Sequence, residues 1–116
     1  MCLKSSLKRD EPRNMKEIPA EYVETIISEN LTSLLYFYTP LCGTCQVAGK
    51  MLTIIEELLP EIELVRSNLN YSPRIATELS IESVPCLLLF KNGVLKEKIY
   101  AFHSVPFLYD KIKEFI

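Results

Sequence analysis

The chain has 116 residues, 48% of them hydrophobic, and 13 basic against 15 acidic side chains for a net charge of -2. That length suits one domain able to bury roughly two thirds of its unfolded surface, with no cofactor or disulfide staple needed for stability. The charge balance, with no basic stripe interleaved with aromatics, gives a nucleic-acid role little support, and no apolar run exceeds Cys86 to Phe90, far short of the roughly 20 residues that span a bilayer.

Residues 1–14 carry Lys4, Lys8, Arg9 and Arg13 against Asp10 and Glu11 and lack the apolar core of a signal peptide. They are expected to form a disordered tail, whether or not they are native, with Cys2 incidental to function. From Met15 to Ile116 helical and strand patterns alternate, which predicts one mixed α/β domain. Pro19 is expected at a helix start, and Tyr22, Val23, Ile26 and Ile27 form a helical stripe ending near Asn30. Ser33 to Thr39 reads as a strand. From Thr44, the apolar positions Val47, Ala48, Met51, Leu52, Ile55, Leu58 and Leu59 recur near every 3.6 residues up to Pro60. Glu61 to Ser67 reads as a second strand, and Ser72-Pro73 as the N-cap and first position of a short helix through Leu79. The strands Cys86 to Phe90 and Val94 to Tyr100 are joined by Lys91-Asn92-Gly93 as an edge hairpin. Ser104 caps a last helix with Phe107, Leu108, Ile112 and Phe115 on one face.

The most informative stretch is Cys42-Gly43-Thr44-Cys45, between a strand and a helix. Residues three apart on a first helical turn have Cβ atoms roughly 5 to 6 Å apart, and a disulfide tolerates Cα separations of about 4.4 to 6.8 Å. The pair can therefore cycle between dithiol and disulfide. Unpaired N–H groups and the positive end of the helix dipole favour the thiolate of Cys42. Half of a zinc site has the same spacing, so the motif alone leaves metal binding open. Cys2, Cys86 and His103 supply no second ligand pair at zinc spacing.

About forty residues on stands Ser83-Val84-Pro85-Cys86-Leu87-Leu88-Leu89-Phe90-Lys91-Asn92-Gly93. With a strand, C-G-x-C and helix before it and an amphipathic helix after it, the chain from about Leu34 to Ile116 resembles the thioredoxin family. The resemblance implies an α/β thioredoxin-like fold, a central mixed sheet of four to five strands flanked by helices. It implies that Pro85 has a cis peptide bond and that Val84 and Pro85 form the second wall of the site. It also implies thiol–disulfide exchange on protein disulfides, with Cys42 attacking, Cys45 resolving, no cofactor and a thiol-reducing donor system. Gly43 would let a substrate backbone approach, and Thr44 replaces the proline usual in reducing thioredoxins, offering a hydroxyl to the thiolate. A monomer in the cytoplasm, where the pair is kept reduced, is the expected setting.

Besides Thr44, other positions depart from the family pattern. The buried Asp six positions before the first cysteine is Tyr36 here, and a neutral phenol is no carboxylate base. The lysine that pairs with that Asp corresponds to Arg66, a cation left without its expected partner, turned outward to water or adding positive potential near the cysteines. The Trp before the first cysteine is Leu41. These departures keep a second reading open, a binding or redox-sensing module with weak turnover. Gly49 falls where the family's helix is kinked by a proline, and either supplies that bend or is merely tolerated. Cys86 is expected in the core rather than as a third redox thiol. His103 is expected at the surface, and Glu56, Glu57 and Glu61 at the solvated end of a helix.

Overall fold

The computed structural model describes residues 15–116. The expectations for residues 1–14, Cys2 included, lie outside the described residues. Ten elements follow in order: β1 (Lys16–Glu17), α1 (Tyr22–Ser28), β2 (Ser33–Tyr38), α2 (Gly43–Leu58), β3 (Leu64–Asn68), a 3-10 turn (Leu69–Tyr71), α3 (Pro73–Glu78), β4 (Cys86–Lys91), β5 (Val94–Ile99) and α4 (Val105–Phe115). The five strands form one mixed sheet in the order β1-β3-β2-β4-β5. β2 runs parallel to β3 and antiparallel to β4, with Tyr36 opposite Arg66 on one side and Leu87 on the other.

Central position explains composition. Leu34, Leu35, Tyr36 and Phe37 of β2 and Cys86 to Phe90 of β4 are all buried, because helices cover both faces of the sheet. Alternation along the strands divides them between two cores. Leu34, Tyr36, Leu87 and Leu89 pack with Ala48, Leu52 and Ile55 of α2 and Leu108 and Ile112 of α4. Leu35, Phe37, Cys86, Leu88 and Phe90 pack with Val23 and Ile26 of α1 and Ile75 of α3. Buried on both sides, these strands rank among the largest contributors to the apolar area removed from water, at roughly 25 cal/mol per Å².

The hairpin tip is fixed by its residues. Asn92 and Gly93 both have positive φ, 53° and 83°, as a two-residue turn matched to strand twist requires. A Cβ on Gly93 would meet Asn30 Cα and the Ile27 carbonyl oxygen, each at 2.9 Å. That closeness lets the Gly93 N–H donate to the Leu31 carbonyl at 2.8 Å, while the Asn92 N–H donates to Thr32 Oγ1 at 3.1 Å.

Several sequence expectations need correction. β1 pairs with β3 through only two residues, both exposed, so it left no alternating pattern to read. The first helix begins at Tyr22, not Pro19, whose carbonyl instead accepts from the Tyr22 N–H at the entering turn. β3 starts at Leu64, three residues later than expected. Val47 and Leu58, assigned to the apolar stripe of α2, are 57% and 52% exposed. Phe107 also lies outward, edge-on to the His103 ring at 4.6 Å, while Leu108 and Ile112 fill the core. Ser104 Oγ does cap α4 by accepting from the Phe107 N–H. Ser72 occupies the N-cap position of α3, but its hydroxyl donates to Glu21 Oε2 instead.

Candidate active site

Cys42 is the N-cap of α2, extended at φ -89° and ψ 111°, and its Sγ accepts the Cys45 backbone N–H at 3.1 Å. One orphan donor of the helix end is thus spent on sulfur. No acidic side chain stands in the first turn of α2, so the positive end of the dipole faces Cys42 unopposed and favours negative charge there. Cys42 and Cys45 are joined as a disulfide, with Cα atoms 5.2 Å apart. Cys42 is half-buried and Cys45 only 4% exposed.

The neighbours expected from the sequence converge here. Thr44 Oγ1 lies 3.3 Å from Cys42 Sγ, and with the pair oxidised only the hydroxyl can donate. Gly43 is exposed, with open space where a Cβ would stand. The Val84–Pro85 peptide is cis, and the Val84 carbonyl oxygen sits 4.0 Å from Cys42 Sγ, within reach of an S–H in the dithiol. Val84 and Pro85 are half-buried beside the pair, and Leu41, next in chain to Cys42, is 99% exposed.

Behind Cys45 the site differs from the family pattern. Tyr36 is 2% exposed and its hydroxyl donates to the Cys45 carbonyl oxygen at 2.6 Å. Burial pushes its pKa up to about 12, against the opposing effect of Arg66. Arg66 has found another partner. Its Nε lies 2.9 Å from Glu17 Oε1, an ion pair half exposed to solvent, and its guanidinium lies over the Tyr38 ring at 5.6 Å. Glu17 also accepts from the Tyr38 hydroxyl at 2.8 Å. The cation is therefore not partnerless; the acid came from β1, the strand that sequence patterning missed. Glu17 stands in a two-residue exposed strand, which carried no periodicity to announce it.

Cys86 stays apart. It is fully buried on the α1 and α3 side of the sheet, and burial pushes its thiol up to about 11, with Tyr100 and Lys98 opposing. His103 is exposed, with φ 55°. Gly49 lies within an uninterrupted α2, and a Cβ there would meet the Tyr36 ring at an ordinary 3.8 Å. Among the described residues no three His, Cys, Asp or Glu side chains gather as a metal site would need, and no helix is long and apolar enough to cross a membrane.

Comparison with known proteins agrees with this geometry. The family described as Thioredoxin matches residues 14–114. The chain is 52% identical over 100 residues to the thioredoxin-like protein YusE of Bacillus subtilis, covering 86% of this chain and 92% of that protein. It is 36% identical over 75 residues to the thioredoxin of Pyropia yezoensis, covering 64% and 70% respectively. Oxidised mitochondrial thioredoxin 3 from Saccharomyces cerevisiae superposes with a TM-score of 0.73 at 25% identity, covering 86% of this chain and 94% of that one. The chain belongs to the thioredoxin family, as a thiol–disulfide oxidoreductase with its cysteine pair positioned as in other such enzymes. Family members act on protein disulfides and are returned to the dithiol by a reducing system.

Proposed function

We propose that the protein reduces or exchanges disulfides of client proteins, with Cys42 as the attacking thiolate and Cys45 as the resolving thiol. The carrying observation is the asymmetry of the pair: Cys42 is half-buried at the helix N-terminus and receives the Cys45 N–H, whereas Cys45 is 4% exposed. The Cys42 thiolate attacks one sulfur of a client disulfide, releasing the other as a thiolate and forming a mixed disulfide. Cys45 then attacks Cys42 Sγ, closing the internal disulfide and freeing the reduced client. A dithiol donor restores Cys42 and Cys45 by the reverse exchange. Thr44 stabilises the Cys42 thiolate through its hydroxyl, and Gly43, Val84 and Pro85 leave room for the client backbone. The enzyme works as a monomer in the cytoplasm, where the reducing poise keeps the pair available.

Trapping tests these roles. Cys45→Ser should accumulate mixed disulfides with clients that added reductant releases, and Cys42→Ser should trap almost nothing. Labelling of Cys45 or Cys86 before Cys42 by an alkylating reagent at mildly acidic pH would overturn the assignment of the nucleophile.

A further inference from the structure

Tyr36 sits on the strand clamped between β3 and β4, with its ring stacked on Tyr38 at 5.9 Å and edge-on to Phe102 at 6.0 Å. Its hydroxyl is thereby fixed relative to the sheet, and at 2.6 Å it holds the carbonyl of the very residue that carries the resolving sulfur. Beside it lies an open groove of about 340 Å³ lined by Met15, Tyr36, Tyr38, Cys45, Lys50 and Arg66, among others. Among the described residues no Asp or Glu lines this groove.

We propose that Tyr36 is a positioning residue that holds Cys45 for attack on the Cys42 mixed disulfide, and that solvent in the groove takes the Cys45 proton where the family pattern would place a carboxylate. This inference rests on the assignment of Cys42 as nucleophile and Cys45 as resolving thiol. In the step, hydroxide or water removes the Cys45 proton and the thiolate attacks Cys42 Sγ. The new Cys42–Cys45 bond forms as the bond from Cys42 to the client sulfur breaks, and the client thiolate takes a proton from water.

The groups facing Cys45 leave solvent as the base. Tyr36 already donates its proton to a carbonyl, and burial makes it a weaker acid still. Tyr38, also from β2, donates its proton to Glu17. Lys50 from α2 and Arg66 from β3 also line the groove, and as cations neither can accept a proton. Glu17 on β1 is engaged by Arg66 and Tyr38 and does not line the groove.

A chromogenic aryl disulfide, dithiobis(nitrobenzoate), reads both steps in one stopped-flow trace. With Cys2→Ser as background, attack by Cys42 releases one thionitrobenzoate and resolution by Cys45 releases the second. Tyr36→Phe keeps the ring and removes only the hydroxyl. It should leave the first phase unchanged and slow the second by about 2- to 12-fold, the range that one hydrogen bond of ordinary net strength converts to. In the background protein the second-phase rate should rise about tenfold per pH unit through neutrality, as expected when the fraction of one thiolate limits it. An unchanged second phase in folded Tyr36→Phe would overturn the positioning role. An inflection below neutral pH would overturn the solvent base, since it would report a protein acid. Persistence of the first phase in Cys42→Ser would overturn the nucleophile assignment and this inference together, a signature distinct from the other two.

Discussion

Two cysteines lie on opposite sides of the same sheet, both almost free of solvent, yet chemically unlike. Cys45, 4% exposed, belongs to the α2 side, and Cys86, 0% exposed, to the α1 and α3 side. Burial does not separate them. Cys45 has a sulfur partner three residues away on a helix end and a groove at its back. Cys86 is packed among Phe37, Leu88, Phe90 and their neighbours, where ionisation is disfavoured. One face of the sheet is arranged to expose a reaction, the other to keep a sulfur inert.

The sharpest break of this comparison is a pair of substitutions read by insulin-disulfide reduction. Cys42→Ser should abolish turnover, whereas Cys86→Ala should preserve the activity of the folded protein and cost it about 1 to 2 kcal/mol in urea unfolding, as small truncations in a core do. Loss of activity in folded Cys86→Ala would make the two faces chemically coupled.

The same glycine-to-alanine change should have opposite signs on the two sides. Gly93→Ala forces an L side chain into φ 83° and against the backbone of Asn30 and Ile27 at 2.9 Å, so unfolding should show a loss of about 2 kcal/mol.

Alkaline pH offers a smaller effect on the inert face. The Cys86 thiol ionises near 11 when folded against an ordinary 9.0, so its neutral form favours the native state. That contribution is fully present below pH 9.0 and is lost as pH rises towards about 11, because the unfolded chain sheds the proton first. Tyr36, raised to about 12, acts in the same direction at higher pH. Melting curves between pH 8 and 11 should therefore fall less steeply for Cys86→Ala than for the wild type. Equal slopes would mean the Cys86 site does not resist ionisation. The smallest change is Gly49→Ala on the reactive face, where φ is ordinary and the new methyl meets the Tyr36 ring at 3.8 Å. It should stabilise by about 0.5 to 1 kcal/mol, and a loss would indicate that the Tyr36 ring has no room to give.

Much of this architecture was legible in residue order. C-G-T-C, the Val84-Pro85 segment, the Asn92-Gly93 turn and the Ser104 cap are local signals, each carried by residues whose geometry is set within a few positions. The family resemblance, and not any periodicity, pointed to the cis Val84–Pro85 bond. Long-range contacts were not readable. Nothing in Glu17 announced that it would close on Arg66 and Tyr38, and Ser72 looked like an ordinary cap until Glu21, from the turn before α1, accepted its hydroxyl. Helical period placed Val47 and Phe107 on apolar stripes, but each stripe is wider than the surface the sheet offers, so its margin faces solvent. The substitution of Tyr36 for an acid was visible at once; where its hydroxyl points was not.

The chain order of the central strands also bears on synthesis. β2, apolar on both faces, ends up between β3 and β4, yet β4 begins at Cys86, well after Tyr38 has left the ribosome. Until then one edge of Ser33–Tyr38 offers unpaired backbone donors and acceptors, a template for pairing with another chain. The contact from Asn92 to Thr32 closes across 60 positions, and loop closure of that length must be met before the hairpin can be rewarded by docking. The last third of the sequence thus serves as the cover for the first: truncation before β4 should leave a nascent chain that recruits its own kind, whatever the state of its cysteines.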